Sequence, residues 1–345
     1  MSEKVVLGLS GGVDSSVAAA RLQKAGLEVH ALYLDIGLGG EASARETAEQ
    51  LGLPFTVKNI AQQLEEQVCK PFCREYLAGR TPIPCARCNP TVKFPALLEL
   101  ADAIGARYVA TGHYARIGRG RDGGALLQKG QSANDQSYML SRLPRAVLER
   151  VIFPLGDVEK IVTRQEAEKD KLPAAHRPDS MEICFIPDND YAAWLERRGD
   201  TPPPGSFVDA EGRVLGQHKG IHHYTLGQRR GLGIPSTGRL FVTEIRPETN
   251  EVVLSHGEGL HARVVWGDEL NWLGDTPLDA PRPVTARLRH SRREEIALLV
   301  PLGDGRVELR LDKPARAPTP GQLAAFYEGD TVLGSAWITG CGGIE

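Results

Sequence analysis

The sequence has 345 residues, of which 41% are hydrophobic and 25% charged, and its formal net charge is −3 at neutral pH. This composition is typical of a soluble globular protein, and the length predicts two or three domains. No apolar run approaches the length of a bilayer span, which excludes a membrane-spanning chain and a membrane partner. Because the N-terminus also lacks the pattern of a signal peptide, we expect a cytoplasmic protein.

The first hundred or so residues alternate between two kinds of segment. Short apolar runs predict strands at 4–9, 28–36, 54–60 and 107–117. The segments between them predict helices at 16–26, 42–52 and about 95–104, the first two closed by glycine. Strands and helices in alternation indicate a parallel sheet covered by helices, which is a doubly wound α/β domain.

The pattern changes near residue 200, where "TPPPGSF" (201–207) is typical of a linker. Beyond it, short β-branched runs are separated by glycine and proline, as in small β domains. We therefore predict an α/β domain over 1–200, a small β-rich central domain over 201–261 and a C-terminal β-barrel over 262–345.

The segment "LGLSGGVDSS" (7–16) follows the first strand and leads into the first helix. Gly11 and Gly12 allow a tight turn, and serine hydroxyls and the helix N-terminus suit a pyrophosphate. Asp14 could orient a Mg²⁺ ion bound to that pyrophosphate. The segment is not a Walker A loop, because no Gly-Lys-Ser/Thr follows. A plain glycine turn with a capped helix is the alternative, but the position after the first strand favours a nucleotide.

Two cysteines lie in "TPIPCARCNPTVKF" (81–94), where the surrounding prolines predict a stiff loop. Cys85 and Cys88 could be a metal half-site, a redox pair, an activated nucleophile or a chance pair. Cys69 and Cys73 could complete a zinc site of four thiolates with them, although zinc would then occupy the nucleophile. Taken alone, Cys184 is expected to be a small buried hydrophobe and Cys341 to be incidental.

Basic residues accumulate in two stretches without acidic residues, 213–231 and 282–293. Either one alone is typical of a solvated face, but two in a protein of negative net charge indicate a track for a phosphate backbone. Tyr114 and Tyr224 are candidates for stacking on unpaired RNA bases.

Nine motifs in unbroken order carry a resemblance over nearly the whole chain. They are "GLSGGVDSS" (8–16), "GRTPIPCARCN" (79–89), "VKF" (92–94), "ATGHYAR" (110–116), "DQSYML" (135–140), "FPLG" (153–156), "SMEICFI" (180–186), "HKGIHHYTLGQRRGLGI" (218–234) and "TPGQLAAFYEGDTVLG" (319–334). With them the chain resembles the bacterial tRNA-specific 2-thiouridylases, which are members of the ATP-pyrophosphatase superfamily.

The resemblance implies an ATP-dependent enzyme that activates the C2 oxygen of the wobble uridine of tRNA and replaces it by sulfur. It implies Cys88 as nucleophile, Cys184 as persulfide carrier, ATP and Mg²⁺ as cofactors, and tRNA as partner through its anticodon loop. The sulfur donor would be a cysteine desulfurase relay or hydrosulfide. The implied ATP contacts are Gly8, Leu9, Ser10, Gly11, Gly12, Val13, Asp14, Ser15, Leu34 and Gly112. The implied tRNA contacts are Ile83, Pro84, Cys85, His113, Asn134, Asp135, Gln136, Arg289, His290 and Gln322.

The chain departs from the family pattern where Asn-Pro-Asp is common, since it has Ile83, Pro84 and Cys85 there. An added thiol beside the nucleophile suggests a site of three thiolates, and soft thiolates favour iron–sulfur clusters or zinc. We therefore consider a [4Fe–4S] cluster on Cys85, Cys88 and Cys184, with one iron open to hydrosulfide. A plain persulfide route through Cys184 and Cys88 is the alternative, and Cys85 favours the cluster.

Two other functions are compatible with parts of the sequence. One is an ATP pyrophosphatase that acts on a small molecule and has no affinity for tRNA. The other is a zinc-stabilised RNA-binding protein without catalysis, in which the nucleotide loop is a relict.

Overall fold

The structure is a computed structural model that describes residues 2–178, 183–199 and 201–343. Its first elements are β1 (Lys4–Gly8), α1 (Val13–Lys24), β2 (Glu28–Asp35), α2 (Glu41–Gln50), β3 (Phe55–Asn59), α3 (Ala61–Leu64), α4 (Lys70–Leu77), α5 (Pro84–Cys88) and α6 (Phe94–Ala103). Next come β4 (Tyr108–Ala110), β5 (Ala115–Arg119), β6 (Ala125–Lys129), α7 (Ser137–Leu140), α8 (Arg145–Leu148), β7 (Val151–Ile152), α9 (Lys160–Lys169) and α10 (Tyr191–Glu196). No helix in these ranges is both long and apolar enough to cross a membrane.

The N-terminal sheet is parallel, in the strand order β3-β2-β1-β4-β7. The α1 and α2 helices pack on one of its faces, around Leu7, Val17 and Ala44. Helix α6 packs on the other face, through Phe94 and Leu97. The order reverses between β1 and β4, which confirms the predicted doubly wound α/β domain and puts its switch point at these two strands.

The prediction of a single strand over 107–117 is wrong in its extent, because two separate strands occupy this range. Strand β4 ends at Ala110, and β5 begins at Ala115 in a different sheet. Between the two strands, Gly112 packs closely against the backbone of α1, and the chain then passes from the parallel sheet into the sheet of the C-terminal part.

The stiff loop expected over 81–94 is also wrong for most of its length. A helix starts at Pro84 and continues through a π-helical turn, Asn89–Lys93, into α6. Pro84 occupies the first turn, where its missing N–H costs nothing. The π turn closes at Phe94, just before Pro95, and a widened turn relieves the clash of a proline ring with the carbonyl four residues earlier.

The central part is a small mixed sheet built on an apolar core. It contains β8 (Gly205–Val208), β9 (Val214–His218), a 3-10 turn (Ile221–His223), β10 (Phe241–Arg246) and β11 (Glu251–Ser255). The strand order is β10-β11-β8-β9, and Phe207, Val242 and Leu254 are buried beneath it.

The C-terminal part is an antiparallel barrel, as predicted. It contains β12 (His261–Trp272), β13 (Arg282–Arg287), β14 (Glu295–Gly303), β15 (Arg306–Arg316), β16 (Leu323–Glu328) and β17 (Thr331–Gly342). Pairing of β12 with both β15 and β17 closes it. The β5–β6 hairpin extends the same sheet through β17, and Leu127 and Tyr138 share one core with Leu323 and Tyr327. The domain limits at residues 200 and 261 stay predictions.

Candidate active site

The loop between β1 and α1 is pressed against the first turn of α2. Gly11 has a φ of +78°, a region that favours glycine. A Cβ at this position would lie 2.7 Å from Ser43 Oγ and 2.8 Å from the backbone nitrogen of Ala44. Glycine is therefore required at position 11 by both conformation and space.

Two carbonyl oxygens of the loop accept hydrogen bonds from serine side chains. Ser15 Oγ donates to the carbonyl of Gly12 at 3.0 Å, and Ser43 Oγ donates to the carbonyl of Gly11 at 3.0 Å. The backbone N–H of Ser10 donates to Ser15 Oγ at 3.2 Å. With these carbonyls directed into the protein, the N-terminus of the twelve-residue α1 favours an anion in front of it.

The ends of β1 and β4 meet at this loop. A Cβ on Gly112 would lie 2.9 Å from both the carbonyl carbon of Asp14 and the backbone nitrogen of Ser15. Leu34, near the end of β2, is half-buried on the same edge. The predicted nucleotide residues therefore converge at the switch point, where open α/β sheets bind ligands.

Asp14 is held by two residues that its sequence neighbourhood does not predict. Lys160 Nζ, at the start of α9, donates to both carboxylate oxygens of Asp14 at 2.7 Å. The hydroxyl of Tyr114 donates to Asp14 at 2.7 Å. Lys160 lies far from the loop in sequence, so no local pattern points to this contact. The Asp14 side chain remains 34% exposed and accessible to a ligand.

The predicted stacking of two tyrosines on RNA bases is wrong. Tyr114 is 1% exposed and Tyr224 is 6% exposed, so neither ring is available to a base. Tyr114 instead packs in the core behind the nucleotide loop, and Tyr224 packs against Phe207 and His218 in the central module.

Cys184 and Cys88 are far apart in sequence but lie close enough in the fold to interact electrostatically. Phe185 and Ile186, which follow Cys184, pack into one apolar cluster with Val92 and the half-buried Cys88. Residues 179–182, part of the "SMEICFI" motif, lie outside the described ranges. The structure thus brings together the two cysteines that the resemblance assigns to sulfur chemistry.

Burial and one lysine act in opposite directions on these thiols. Burial raises the pKa of Cys88 to about 11, and the nearby ammonium of Lys93 lowers it in part. Burial likewise raises the pKa of Cys184, again opposed by Lys93, although Cys184 keeps an exposed surface. Cys85 is exposed in the first turn of α5, and its charge contributes to raising the pKa of both neighbours.

Lys93 also connects the cysteines with the nucleotide loop. Burial lowers the pKa of His113 well below its usual value, and the charge of Lys93 lowers it further. His113 follows Gly112, and its Nδ1 lies 2.7 Å from Thr111 Oγ1. One ammonium is therefore within electrostatic reach of Cys88, Cys184 and the residue beside the nucleotide loop.

Cys69 and Cys73 do not form a compact metal site with the other pair. Cys69 is 4% exposed, and burial raises the pKa of its thiol to about 12. Burial also raises the pKa of Cys73. Among the described residues, the one group of three or more candidate ligands with atoms within 4.8 Å of one another contains no cysteine. The four-thiolate zinc hypothesis therefore has no support in this geometry.

The residues predicted to face tRNA lie where the loop before α7 meets the barrel. Asp135 accepts a 2.5 Å hydrogen bond from Arg287, which is itself buried. Gln136 Oε1 accepts from the backbone N–H of Tyr114 at 3.0 Å. Asn134 and His290 are exposed at the same junction. The side chains of Asp135 and Gln136 thus fix the loop through hydrogen bonds to other parts of the protein.

The barrel also contacts the segment that leads into the cysteine helix. Gln322 Nε2 donates to the carbonyl of Thr81 at 2.8 Å, and the N–H of Thr81 donates to the carbonyl of Pro320 at 3.0 Å. Ile83 and Pro84 follow directly. The exposed members of the predicted set, Asn134, Cys85, Arg289 and His290, are thus connected through the barrel, whereas Ile83 is buried in the core. The surface from the barrel to Cys85 stays a prediction for tRNA.

The stretch 282–293 contains no acidic residue, but carboxylates from other parts of the chain lie beside several of its arginines. Arg282 pairs with Glu328, Arg287 with Asp135 and Glu294, and Arg293 with Glu295. Arg289 donates to the carbonyls of Arg316 and Ala317, and Arg292 donates to the carbonyl of Ala133. Within the described ranges, Arg289 and Arg292 have no carboxylate partner, so these two carry the uncompensated charge of the cluster.

Three family models match consecutive parts of the chain. A tRNA methyl transferase HUP domain matches residues 3–188, a tRNA methyl transferase PRC-barrel domain matches 193–256, and an aminomethyltransferase β-barrel domain matches 263–338. Fold, loop and models together define a three-domain protein of the tRNA-modifying class.

Two curated relatives resemble the chain over its whole length. A tRNA-specific 2-thiouridylase from Thermoanaerobacter sp. (strain X514) is 42% identical, covering 98% of both chains. Another, from Acidithiobacillus ferrooxidans (strain ATCC 53993 / BNL-5-31), is 42% identical, covering 98% of this chain and 99% of its own. The chain belongs to the tRNA-specific 2-thiouridylase family, a family of enzymes, which confirms the resemblance found in the sequence. A solved 4-thiouridine synthetase–RNA complex with bound ATP is similar only loosely, with a TM-score of 0.36, 18% identity, and coverage of 57% of this chain and 50% of its own.

Proposed function

We propose that the protein uses ATP to thiolate C2 of the wobble uridine in the anticodon loop of tRNA. The observation that carries the proposal is a continuous helical segment that joins Cys88 to Phe94, whose ring stacks on His113 beside the nucleotide loop with centroids 6.4 Å apart. Adenylation takes place on the C2 oxygen and sulfur transfer on C2 itself, so the two sites must adjoin. The names of the full-length relatives support the same reaction.

In the first step the C2 oxygen of the uridine attacks the α-phosphorus of ATP, and pyrophosphate leaves. The loop from Gly8 to Ser15 would hold the phosphates through the N-terminus of α1. Mg²⁺ takes oxygen ligands, and it would share the carboxylate of Asp14 with Lys160. Lys160 would also offset phosphate charge, because its ammonium lies next to the loop.

In the second step the terminal sulfur of a persulfide on Cys184 attacks C2, and AMP leaves. The thiolate of Cys88 then attacks the Sγ of Cys184, which forms a disulfide and leaves the sulfur on C2. A thiol reductant restores both cysteines for the next turnover. Because burial holds Cys88 as a thiol at neutral pH, Lys93 would be the group that promotes its ionisation.

A [4Fe–4S] cluster on Cys85, Cys88 and Cys184 is the second route, and the exposed Cys85 supports it. Cys85 adds a third thiol on the same helix as Cys88, and its charge and that of Cys184 both act on the pKa of Cys88. These three thiols would be the ligands of the cluster. A cluster with one open iron could hold hydrosulfide as the sulfur donor.

The surface from the barrel to Cys85 would receive the anticodon loop. Arg289 and Arg292 would contact the phosphate backbone, while the exposed Asn134, His290 and Cys85 would lie near the bases. Ile83 is buried in the core and would support this surface from beneath. Asp135, Gln136 and Gln322 would act by holding this surface in shape, because their side chains are already bonded within the protein. Moving an unpaired anticodon base into a pocket costs little free energy, because no base pair has to be broken.

The proposal is tested by measuring pyrophosphate release from ATP and 2-thiouridine in tRNA, with zinc and iron determined on the same sample. We expect pyrophosphate release that requires tRNA, and thiolation when a persulfide or sulfide donor is added. Release without tRNA would instead identify a pyrophosphatase of small molecules. Bound zinc with no release would identify a non-catalytic RNA-binding protein.

The sulfur route is tested by anaerobic purification and reconstitution, followed by iron and sulfide analysis of wild type and Cys85→Ala. The cluster route requires iron in the wild type, and loss of both iron and thiolation in the variant. An iron-free wild type that thiolates tRNA from a persulfide donor would establish the persulfide route instead. Full activity in Cys85→Ala would likewise exclude the cluster.

A further inference from the structure

Three potential metal ligands meet where the α/β domain contacts the central module. Glu196 is the last residue of α10, and His222 and His223 lie in the 3-10 turn. Nε2 of His223 lies 3.0 Å, and Nε2 of His222 3.5 Å, from Oε1 of Glu196. One atom from each side chain lies within 4.8 Å of those of the other two.

His222 is buried without the hydrogen bonds that a buried imidazole normally makes. Its side chain is 1% exposed, and among the described residues neither Nδ1 nor Nε2 makes a hydrogen bond of good geometry, since the 3.5 Å contact of Nε2 with Glu196 is long. An unsatisfied buried polar group costs free energy, so such a group in a folded protein requires an explanation. A metal ion bonded to Nε2 would supply the missing partner of that atom.

The backbone around His222 is shaped to hold its ring in this position. Gly220 has a φ of +129°, and a Cβ there would lie 2.5 Å from Cε1 of His222, so only glycine lets the ring occupy this position. The ring of His222 lies 4.4 Å, centroid to centroid, from that of His223, which brings the two imidazoles to the same place.

We propose that Glu196, His222 and His223 form a binding site for a divalent transition-metal ion such as Zn²⁺. Two imidazoles and one carboxylate are a known ligand set for zinc, and they leave a fourth position for water or another donor. Imidazole nitrogen disfavours the hard ions Mg²⁺ and Ca²⁺, which take oxygen ligands. The site is separate from the cysteines and does not depend on the proposed reaction.

Bound metal would join the central module to the helix that follows the Cys184 segment. Tyr191 of α10 stacks on Tyr76 with ring centroids 4.6 Å apart, and Leu195 packs in the same cluster as Phe185. Because α10 packs together with this segment, fixing its last residue to the 3-10 turn restricts the segment as well. The role of the metal would thus be to hold two parts of the molecule together near the sulfur site.

The test uses full-length protein and two variants of partly exposed ligands, His223→Ala and Glu196→Gln, whose side chains are 21% and 46% exposed. His261→Ala, an exposed histidine on β12, is the control. We expect Zn²⁺ to raise the melting temperature of wild type and control but not of the two variants. We expect the affinity for Zn²⁺ to fall by at least about 100-fold in each variant. Equal affinity in all four proteins would overturn the proposal.

Cobalt(II) separates this site from zinc bound to cysteines. Thiolate ligands give cobalt an intense near-ultraviolet charge-transfer band, whereas nitrogen and oxygen ligands give only weak visible bands. The spectrum of cobalt-loaded wild type minus that of His223→Ala should therefore contain the weak bands without the thiolate band. A difference spectrum that is flat, or that carries the thiolate band, would show that the histidines do not bind the metal.

Discussion

Asp14 and Lys160 illustrate how a long-range pair changes the role of a motif residue. In the sequence, Asp14 is a candidate Mg²⁺ ligand, and Lys160 is a residue near "FPLG" that belongs to no motif. In the fold, the lysine neutralises the carboxylate in front of the loop. Under the proposed function, the pair would keep the charge of the loop low before ATP binds, and Lys160 would then provide a cation for the phosphates.

We predict that Asp14→Ala abolishes pyrophosphate release and leaves tRNA binding nearly unchanged. The carboxylate lies at the phosphate end of the nucleotide loop, whereas the proposed tRNA contacts lie on the barrel side. The measurements are pyrophosphate release and tRNA affinity. Asp157→Ala, which removes a carboxylate that is 70% exposed just before α9, is the control and should behave as wild type. Wild-type release by Asp14→Ala would contradict the assignment of the loop.

The reactivity of Cys88 should depend on pH and on Lys93. Burial raises its thiol pKa to about 11, so below that pH the thiolate fraction and the alkylation rate should rise about tenfold per pH unit. Lys93→Met removes a charge that lowers this pKa, so the pKa rises and alkylation at a given pH slows. Lys93→Arg keeps the charge and should restore the rate. The measurement is alkylation of Cys88 followed by mass spectrometry, and equal rates in all three proteins would exclude the role of Lys93.

At the scale of elements, apolar runs predict the positions of strands better than prolines predict the absence of a helix. The strands predicted at 4–9, 28–36 and 54–60 lie within about one residue of β1, β2 and β3. For β1 and β2 the reason is that buried parallel strands are continuous apolar runs, whereas β3 is a half-exposed strand at the edge of the sheet. The loop predicted for the cysteine segment is wrong because proline breaks a helix only in its interior. Pro84 lies in the first turn of α5, Pro90 lies at the start of the π-helical turn, and Pro95 follows that turn directly. All three positions tolerate proline.

We predict that Gly11→Ala and Gly26→Ala differ sharply, although both glycines have φ near +80°. Alanine at Gly26 meets no atom within 4 Å and should cost about 1 kcal/mol for its backbone conformation alone. At Gly11 the added methyl also clashes with the first turn of α2, which should cost about 1–3 kcal/mol more. Urea unfolding and pyrophosphate release measure both effects. Equal stability and activity in the two variants would mean that the loop does not press on α2.

The arrangement of the whole molecule is the part least accessible from sequence. The β5–β6 hairpin belongs to the α/β half of the chain but pairs with β17, and a pairing between such distant residues has no local signal. The acid-free stretch 282–293 likewise gives no sign of the carboxylates that fold onto it, Asp135 and Glu328 among them. Convergence of Cys88 with Cys184 is expected through the resemblance alone, since nothing in their spacing requires it.

Across the molecule, two arginines at the junction of barrel and α/β domain should carry much of the electrostatic binding of tRNA. Replacing Arg289 and Arg292 by alanine should weaken binding and flatten its dependence on log salt by roughly 0.7–0.9 for each phosphate that no longer has an arginine beside it. Arg293→Ala with Arg306→Ala removes the same charge from residues that face Glu295 and Asp304, and it is the matched control. Filter-binding or fluorescence titrations at several salt concentrations give the slopes. If both double variants have the wild-type slope, the phosphates are bound elsewhere, and if both flatten it equally, the arginines act only through net charge.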